Sequence, residues 1–393
     1  MQTTDALLAF LVAGVVTLAL TPLAARIARR TGAVATPRER DLHDRPIPRL
    51  GGLAILIGVL VAGAVFLPNT QEMRGILLGA ATITAIGALD DIWDLAAPIK
   101  LGGQFAAALL PVASNVTVGN FTLPFLGAVD LGSMAEPLTL IGIVAVMNIL
   151  NFTDGVDGLA AGVCTIAAAT FAVICLSLDR DEAGILAALT AGAAAGFLWH
   201  NFHPASIFMG DAGSNTLGLL LACIAIQGVL KTAAVVALFF PLVILAVPIL
   251  DTGFVVAKRL KYKRPVYSAD NEHFHHRLAR IGFSQRRTVL YLYAWTLCLA
   301  ALALALRFVP YSDNHGHFDF AWSAVIAAAG TAALAATIYL IYVLEILKFR
   351  RFRERQLRRQ ATLVGGEPPS EEQLHDTIER EIETGEFEAV GRD

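Results

Sequence analysis

Long apolar runs, cut at intervals by short polar segments, dominate the pattern along the chain. They fall near residues 4–24, 51–67, 74–89, 101–114, 136–151, 158–178, 183–199, 213–230, 232–257, 288–307 and 321–348. Most approach the roughly 20 residues that a helix needs to cross a bilayer. The pattern therefore predicts an all-α polytopic membrane protein with about eleven transmembrane helices. Between the fourth and fifth runs, Asn115–Gly132 alternates small β-formers with Gly and Pro, which predicts a short β-hairpin of structural role on the outer side. A transmembrane domain then occupies residues 1–349, followed by a charged tail over 350–393. The first run lacks the basic leader of a signal peptide and reads as a retained helix.

Composition supports this reading. Of 393 residues, 56% are hydrophobic and only 16% charged, against about a quarter charged in soluble domains, so an ordinary soluble enzyme is excluded. The charges are segregated: Arg26–Arg49 holds seven arginines, Lys258–Arg287 nine Lys/Arg and Lys348–Arg359 seven, each after an odd-numbered run. Basic loops stay on the cytoplasmic side, which puts the N-terminus outside and the C-terminus in the cytoplasm. A net charge of -3 gives no reason to expect a nucleic-acid partner. All four cysteines lie in apolar runs without metal or disulfide spacing, so buried thiols are expected. The tail starts basic, suited to an anionic leaflet, then turns acidic and offers no chemistry.

Five polar clusters fall on that same basic side. Asp90-Asp91-Ile-Trp-Asp94 concentrates negative charge at a helix end, with Asp91 and Asp94 expected on one face; it is either a solvated loop balanced by Lys100 or a magnesium site, since hard carboxylate oxygens suit that ion. Asn151-Phe-Thr-Asp154-Gly-Val-Asp157-Gly permits a tight backbone and two acids for a metal or a nucleoside, or a plain helix cap at Asp157. Asn201, Phe208, Gly210 and Asp211, in a segment ending at Ser214, combine an aromatic, an acid flanked by glycine and a helix start. That combination suits base stacking and phosphate or metal approach, or simple capping by Asp211 or Ser214. The loop from Lys258 to Arg277 carries Arg264, His273, His275 and His276, which favour diphosphate contact over metal ligation. Pro48-Arg49-Leu-Gly51-Gly52 offers an arginine fork and close backbone approach.

Together, PRLGG, DDIWD, NFTDGVDGLAAG, FMGDAGS and HFHH identify the stretch from about residue 40 to 290 as similar to the polyprenyl-phosphate N-acetylhexosamine-1-phosphate transferases, glycosyltransferase family 4. The chain resembles the branch acting on UDP-N-acetylglucosamine more than the muramyl pentapeptide branch, with a transferase for another UDP-N-acetyl sugar as a further alternative. That second branch typically has lysine where this chain has Asp94, HHH where it has His273-Phe-His275-His276, and PTMGG in place of PRLGG. The resemblance implies a membrane enzyme with a cytoplasmic active site, a UDP-sugar donor, an undecaprenyl phosphate acceptor and Mg2+, with Mn2+ as a substitute. It implies Asp211 as metal ligand with Asp91, and Asp90, Asp91 and Asp94 as the catalytic acids. Asn151, Asp154, Asp157, Asn201, Phe208 and Gly210 would face the nucleotide. Arg49, Arg264, His273, His275 and His276 would contact the diphosphate or lipid phosphate, and Asp251 would support the site from behind. A homodimer is compatible with it.

Two routes follow: direct attack by the lipid phosphate with Asp90 taking or orienting its proton, or double displacement through an aspartyl phosphate. The competing class is a transporter, which would place ionisable groups near mid-membrane; here the helix centres are almost free of charge.

Overall fold

The computed structural model describes residues 2–35, 46–123, 127–230, 239–246, 248–250, 252–253, 284–310, 319–342, 357–358, 370, 373–374 and 376–377. Within these, α1 (Gln2–Thr31) is followed by the paired strands β1 (Val34–Ala35) and β2 (Ile47–Pro48), then α2 (Gly51–Phe66), α3 (Gln71–Trp93) and α4 (Ala97–Ala113). Strands β3 (Asn120–Leu123) and β4 (Gly127–Asp130) pair antiparallel, Asn120 opposite Asp130. Next come α5 (Ala135–Thr153), α6 (Leu159–Ser177), α7 (Asp181–Asn201), α8 (Gly210–Ile224), α9 (Phe239–Ile244), α10 (Gln285–Phe308) and α11 (Phe320–Tyr342). Seven described helices are long and apolar enough to cross a membrane, with three shorter apolar ones beside them.

The helices run past the apolar windows that announce them. Hydropathy ends where charge begins, but the backbone ladder continues: α3 carries on through Asp90 and Asp91, and α4 begins before Lys100. The run at 213–230 is not one regular helix, because α8 passes at Ala225 into a π-helical turn ending at Leu230. Of the run at 232–257, the described residues include only the short α9.

Helix α8 is the axis of the bundle. It packs against α2, α3 and α5, while α1 and α7 lie along each other outside it and α10 rests on α6. Lipid tails supply no hydrophobic force between helices, so close approach of small residues must hold them. A Cβ at Gly52 would lie 2.2 Å from the Gly213 nitrogen, and one at Gly87 only 2.5 Å from the Ala212 backbone. These contacts bring α2 and α3 against the first turn of α8.

Candidate active site

The site is built at the start of α8. Strand β2 offers its edge to the segment before that helix: Phe208 N donates to Pro48 O at 2.8 Å, while Gly51 N and Gly52 N donate to Phe208 O and Met209 O, each at 3.0 Å. The PRLGG and FMGD motifs, distant in sequence, are thus one backbone unit. Gly210 follows with φ of +69°, and a Cβ there would meet an Asp91 oxygen at 2.2 Å. Only glycine fits at that point.

Asp91 reaches from α3 to cap α8. Its oxygens accept from Asp211 N at 3.0 Å and Ala212 N at 3.2 Å, so neither Asp211 nor Ser214 caps its own helix. Asn151, on α5, donates through one amide nitrogen to Asp211 Oδ1 and Ser214 Oγ, both at 2.9 Å. Asp90, buried, accepts from Leu95 N at 2.8 Å and from Lys100 Nζ at 2.7 Å. The same ammonium lies 3.6 Å from Asp211 Oδ2 and 3.9 Å from Asp94 Oδ1. Asp94 therefore joins Asp90 rather than sharing a face with Asp91: α3 ends at Trp93, and Asp94 turns left-handed with φ of 51° and an exposed side chain. Lys100 is the centre of the cluster and no counter-ion of a solvated loop.

Asp154, half-buried just beyond α5, completes the group. Burial, then the neighbouring charges of Asp211 and Asp91, push its carboxyl well above the usual carboxylate range, and the Arg49 guanidinium only partly offsets them. Arg49 also acts electrostatically on Asp91 and Asp211.

Asp157 and Asn201 serve the adjoining loops. Asp157 does not cap α6, whose capping residue is Gly158; its carboxylate accepts from Ala205 N at 3.0 Å and pairs with His203 Nδ1 at 2.8 Å. Buried Asn201 accepts from Gly158 N at 3.0 Å and donates to Ile207 O at 2.9 Å. Helix α10 adds two clamps, Tyr293 OH to Gly158 O at 2.5 Å and Arg286 Nε to His203 O at 3.1 Å. Arg264, His273, His275, His276 and Asp251 lie outside the described residues.

Among the described residues, no three His, Cys, Asp or Glu side chains converge tightly enough to hold a metal unaided. The donor set still fits magnesium, which is commonly held by one or two carboxylates with substrate phosphates and water. Asp90, Asp91, Asp154 and Asp211 face two cations, Lys100 and Arg49, so the cluster is short of positive charge, and its donors are hard oxygens.

Glycosyl transferase family 4 matches residues 73–229. A probable undecaprenyl-phosphate N-acetylglucosaminyl 1-phosphate transferase of Bacillus subtilis is 39% identical over 302 residues, 76% of this chain and 84% of that protein. The chain belongs to glycosyl transferase family 4. It is a phosphoglycosyltransferase of the multi-pass membrane kind. A decaprenyl-phosphate N-acetylglucosaminephosphotransferase of Mycobacterium tuberculosis is 38% identical over 357 residues, covering 82% of this chain and 87% of its own length. A phospho-N-acetylmuramoyl-pentapeptide-transferase of Desulforudis audaxviator is 34% identical over 298 residues, 68% and 86% of the two chains. Within the family's matched stretch lie all four clustered carboxylates; Arg49, Tyr293 and Arg286 fall outside it.

Lys100, which the sequence presents only as a counter-charge to the acidic loop, is the group that ties Asp90, Asp94 and Asp211 together. His203, Ser214 and a set of amides deeper in the bundle were also passed over as site-building groups. The signal for the amides is a polar side chain about one turn inside the apolar runs at 101–114, 136–151 and 213–230, namely Gln104, Asn148 and Asn215.

Proposed function

We propose that this enzyme transfers N-acetylglucosamine-1-phosphate from UDP-N-acetylglucosamine to undecaprenyl phosphate. An oxygen of the lipid phosphate forms a bond to the β-phosphorus of the donor, the bond from that phosphorus to the bridging oxygen breaks, and UMP leaves. One pyrophosphate linkage replaces another, so the task is to bring two anions into line and absorb their charge. The observation that carries this reading is the ammonium of Lys100 shared by Asp90 and Asp211.

Lys100 and Arg49 supply the cationic charge that lets two phosphates approach. Asp90, hydrogen-bonded to Lys100, orients the acceptor phosphate or takes its proton. Asp91 fixes the start of α8, and Asn151 sets the rotamer of Asp211. Asp211, with Asp91 or Asp154, would hold magnesium, which supplies Lewis-acid stabilisation of the phosphoryl oxygens when bound. Phe208 and the loop locked by Asp157 and Asn201 form the nucleotide side, with His273, His275, His276 and Arg264 on the diphosphate.

The apolar runs support about eleven spans, and the basic loops favour a site at the cytoplasmic face of a bacterial plasma membrane. An isoprenoid acceptor explains the membrane setting, because its chain stays in lipid while its phosphate reaches the interface. The relatives named for N-acetylglucosamine transfer are 38–39% identical, those named for the muramyl pentapeptide 31–34%, which favours the first sugar.

The test is UMP release by detergent-purified protein with undecaprenyl phosphate and magnesium, offered either UDP-N-acetylglucosamine or the UDP-muramyl pentapeptide, with EDTA controls. Metal-dependent UMP from the first donor is the expected result. Turnover of the pentapeptide nucleotide alone would move the enzyme to the other branch.

A further inference from the structure

Lys100, Asn151 and Asp211 sit on three different helices, α4, α5 and α8. One turn deeper into the bundle, each of these helices carries a carboxamide: Gln104, Asn148 and Asn215. The three interlock. Gln104 Nε2 donates to Asn215 Oδ1 at 2.8 Å and reaches Asn148 Oδ1 at 3.4 Å, while Asn148 Nδ2 returns a bond to Gln104 Oε1 at 2.8 Å. Asn215 Nδ2 then donates to the carbonyl of Asp211 at 2.8 Å. Asn148 anchors to its own helix at Val144 O, also at 2.8 Å. Gln104 and Asn215 are almost fully buried, at 6% and 4% exposure.

Close packing of Gly, Ala and Leu surfaces, as where a Cβ on Gly218 of α8 would lie 2.6 Å from the Met147 Cα of α5, sets how near the helices lie but makes no directional bond beneath the site. Hydrogen bonds between carboxamides are directional, and one that is broken leaves a polar atom stranded among apolar neighbours. We propose that Gln104, Asn148 and Asn215 form a positioning layer beneath the active site, fixing the mutual rotation of α4, α5 and α8 so that Lys100, Asn151 and Asp211 meet. Gln104 is its hub, since it bonds to both other amides. The inference rests on the transferase reading for its activity arm, and has a second arm that needs no turnover.

The experiment compares Gln104→Met, similar in length to the residue replaced, and Asn148→Leu, which keeps the same branched shape, with the parent enzyme. Thr337→Val, which removes an interhelical bond from Trp295 on α10 to α11, is the control for a lost hydrogen bond in general. Expected for both amide variants is a folded, monodisperse protein whose kcat falls about tenfold or more, with KM for the UDP-sugar within about twofold. Mn2+ binding, followed by electron paramagnetic resonance without substrates, should weaken by about tenfold. Thr337→Val should leave both readouts at parent values. Parent kcat and parent Mn2+ affinity in a folded Gln104→Met would overturn the proposal. So would failure of both amide variants to fold, which would make the layer a folding determinant with no separate positioning role. A parent that binds Mn2+ but releases no UMP would reject the transferase reading while the metal arm still judges the layer. A parent that does neither would sink both.

Discussion

Asp91 caps the helix that carries Asp211: the Asp211 amide donates to Asp91 Oδ1 at 3.0 Å, so one acid of the α3 pair fixes where the acid of α8 begins. Charge and shape can be separated here. Asp91→Asn keeps only one of the two acceptor oxygens and should lose less thermal stability than Asp91→Ala, which should lose about 1 kcal/mol, the usual cost of a missing helix cap. Both should lose transferase activity by about a hundredfold. Paired thermal unfolding and UMP-release assays check this, and an active Asp91→Asn would reduce Asp91 to a cap.

Lys100→Met leaves buried Asp90 without its ammonium. Fully buried pairs cost about 3–5 kcal/mol when one partner goes, but Lys100 keeps 34% of its surface exposed and water screens it, so about 1–2 kcal/mol is expected. The kcat should fall by about 10²–10³. Lys100→Arg should not restore it, because a planar fork cannot take the place of a point charge shared by two carboxylates. Initial-rate kinetics on the three proteins tests the ordering.

Asp154 gives a pH signature. Its folded carboxyl is raised above the ordinary 3.8, chiefly by burial and then by Asp211 and Asp91. The metal-free native state therefore holds that proton more tightly than the unfolded chain. Stability from this group is fully present below pH 3.8, and it is lost as pH rises through the folded value. In EDTA at pH 8, Asp154→Asn should melt higher than the parent, with the gap closing as pH falls. Added magnesium should stabilise the parent and do so less at low pH, since protons compete for the same oxygens. A melting curve of Asp154→Asn that stays below the parent at pH 8 would contradict this.

Tyr293→Phe removes the hydrogen bond to the Gly158 carbonyl and nothing else. About 1 kcal/mol of stability should go, and because Gly158 N is held by Asn201 in the same turn, KM for the UDP-sugar should rise several-fold. Unchanged KM would confine α10 to a packing role.

Much of the membrane architecture was legible in the chain, because a bilayer forces apolar runs of set length and segregates charge between its faces. The runs at 51–67 and 158–178 match α2 and α6 to within a residue at each end. Legibility failed where charge and helix overlap, as at Asp90 and Lys100, and just past α8, where the π-helical turn leaves no mark on hydropathy. At the site, the sequence pointed to Asp211 and Asn151 as polar residues at the helix ends. It could not pair them, since their bond joins residues 60 apart.

By itself, the sequence determined the setting: apolar run lengths, basic loops and acid-rich motifs follow from solvent and charge, which act on residue types wherever they fold. The tertiary structure decided the partnerships: that Asp91 serves α8, that Lys100 sits between Asp90 and Asp211, and that Asp157 is taken up by His203. Those depend on which helix faces meet, and contact between glycines such as Gly52 and Gly213 settles that through shape, which composition and spacing do not encode.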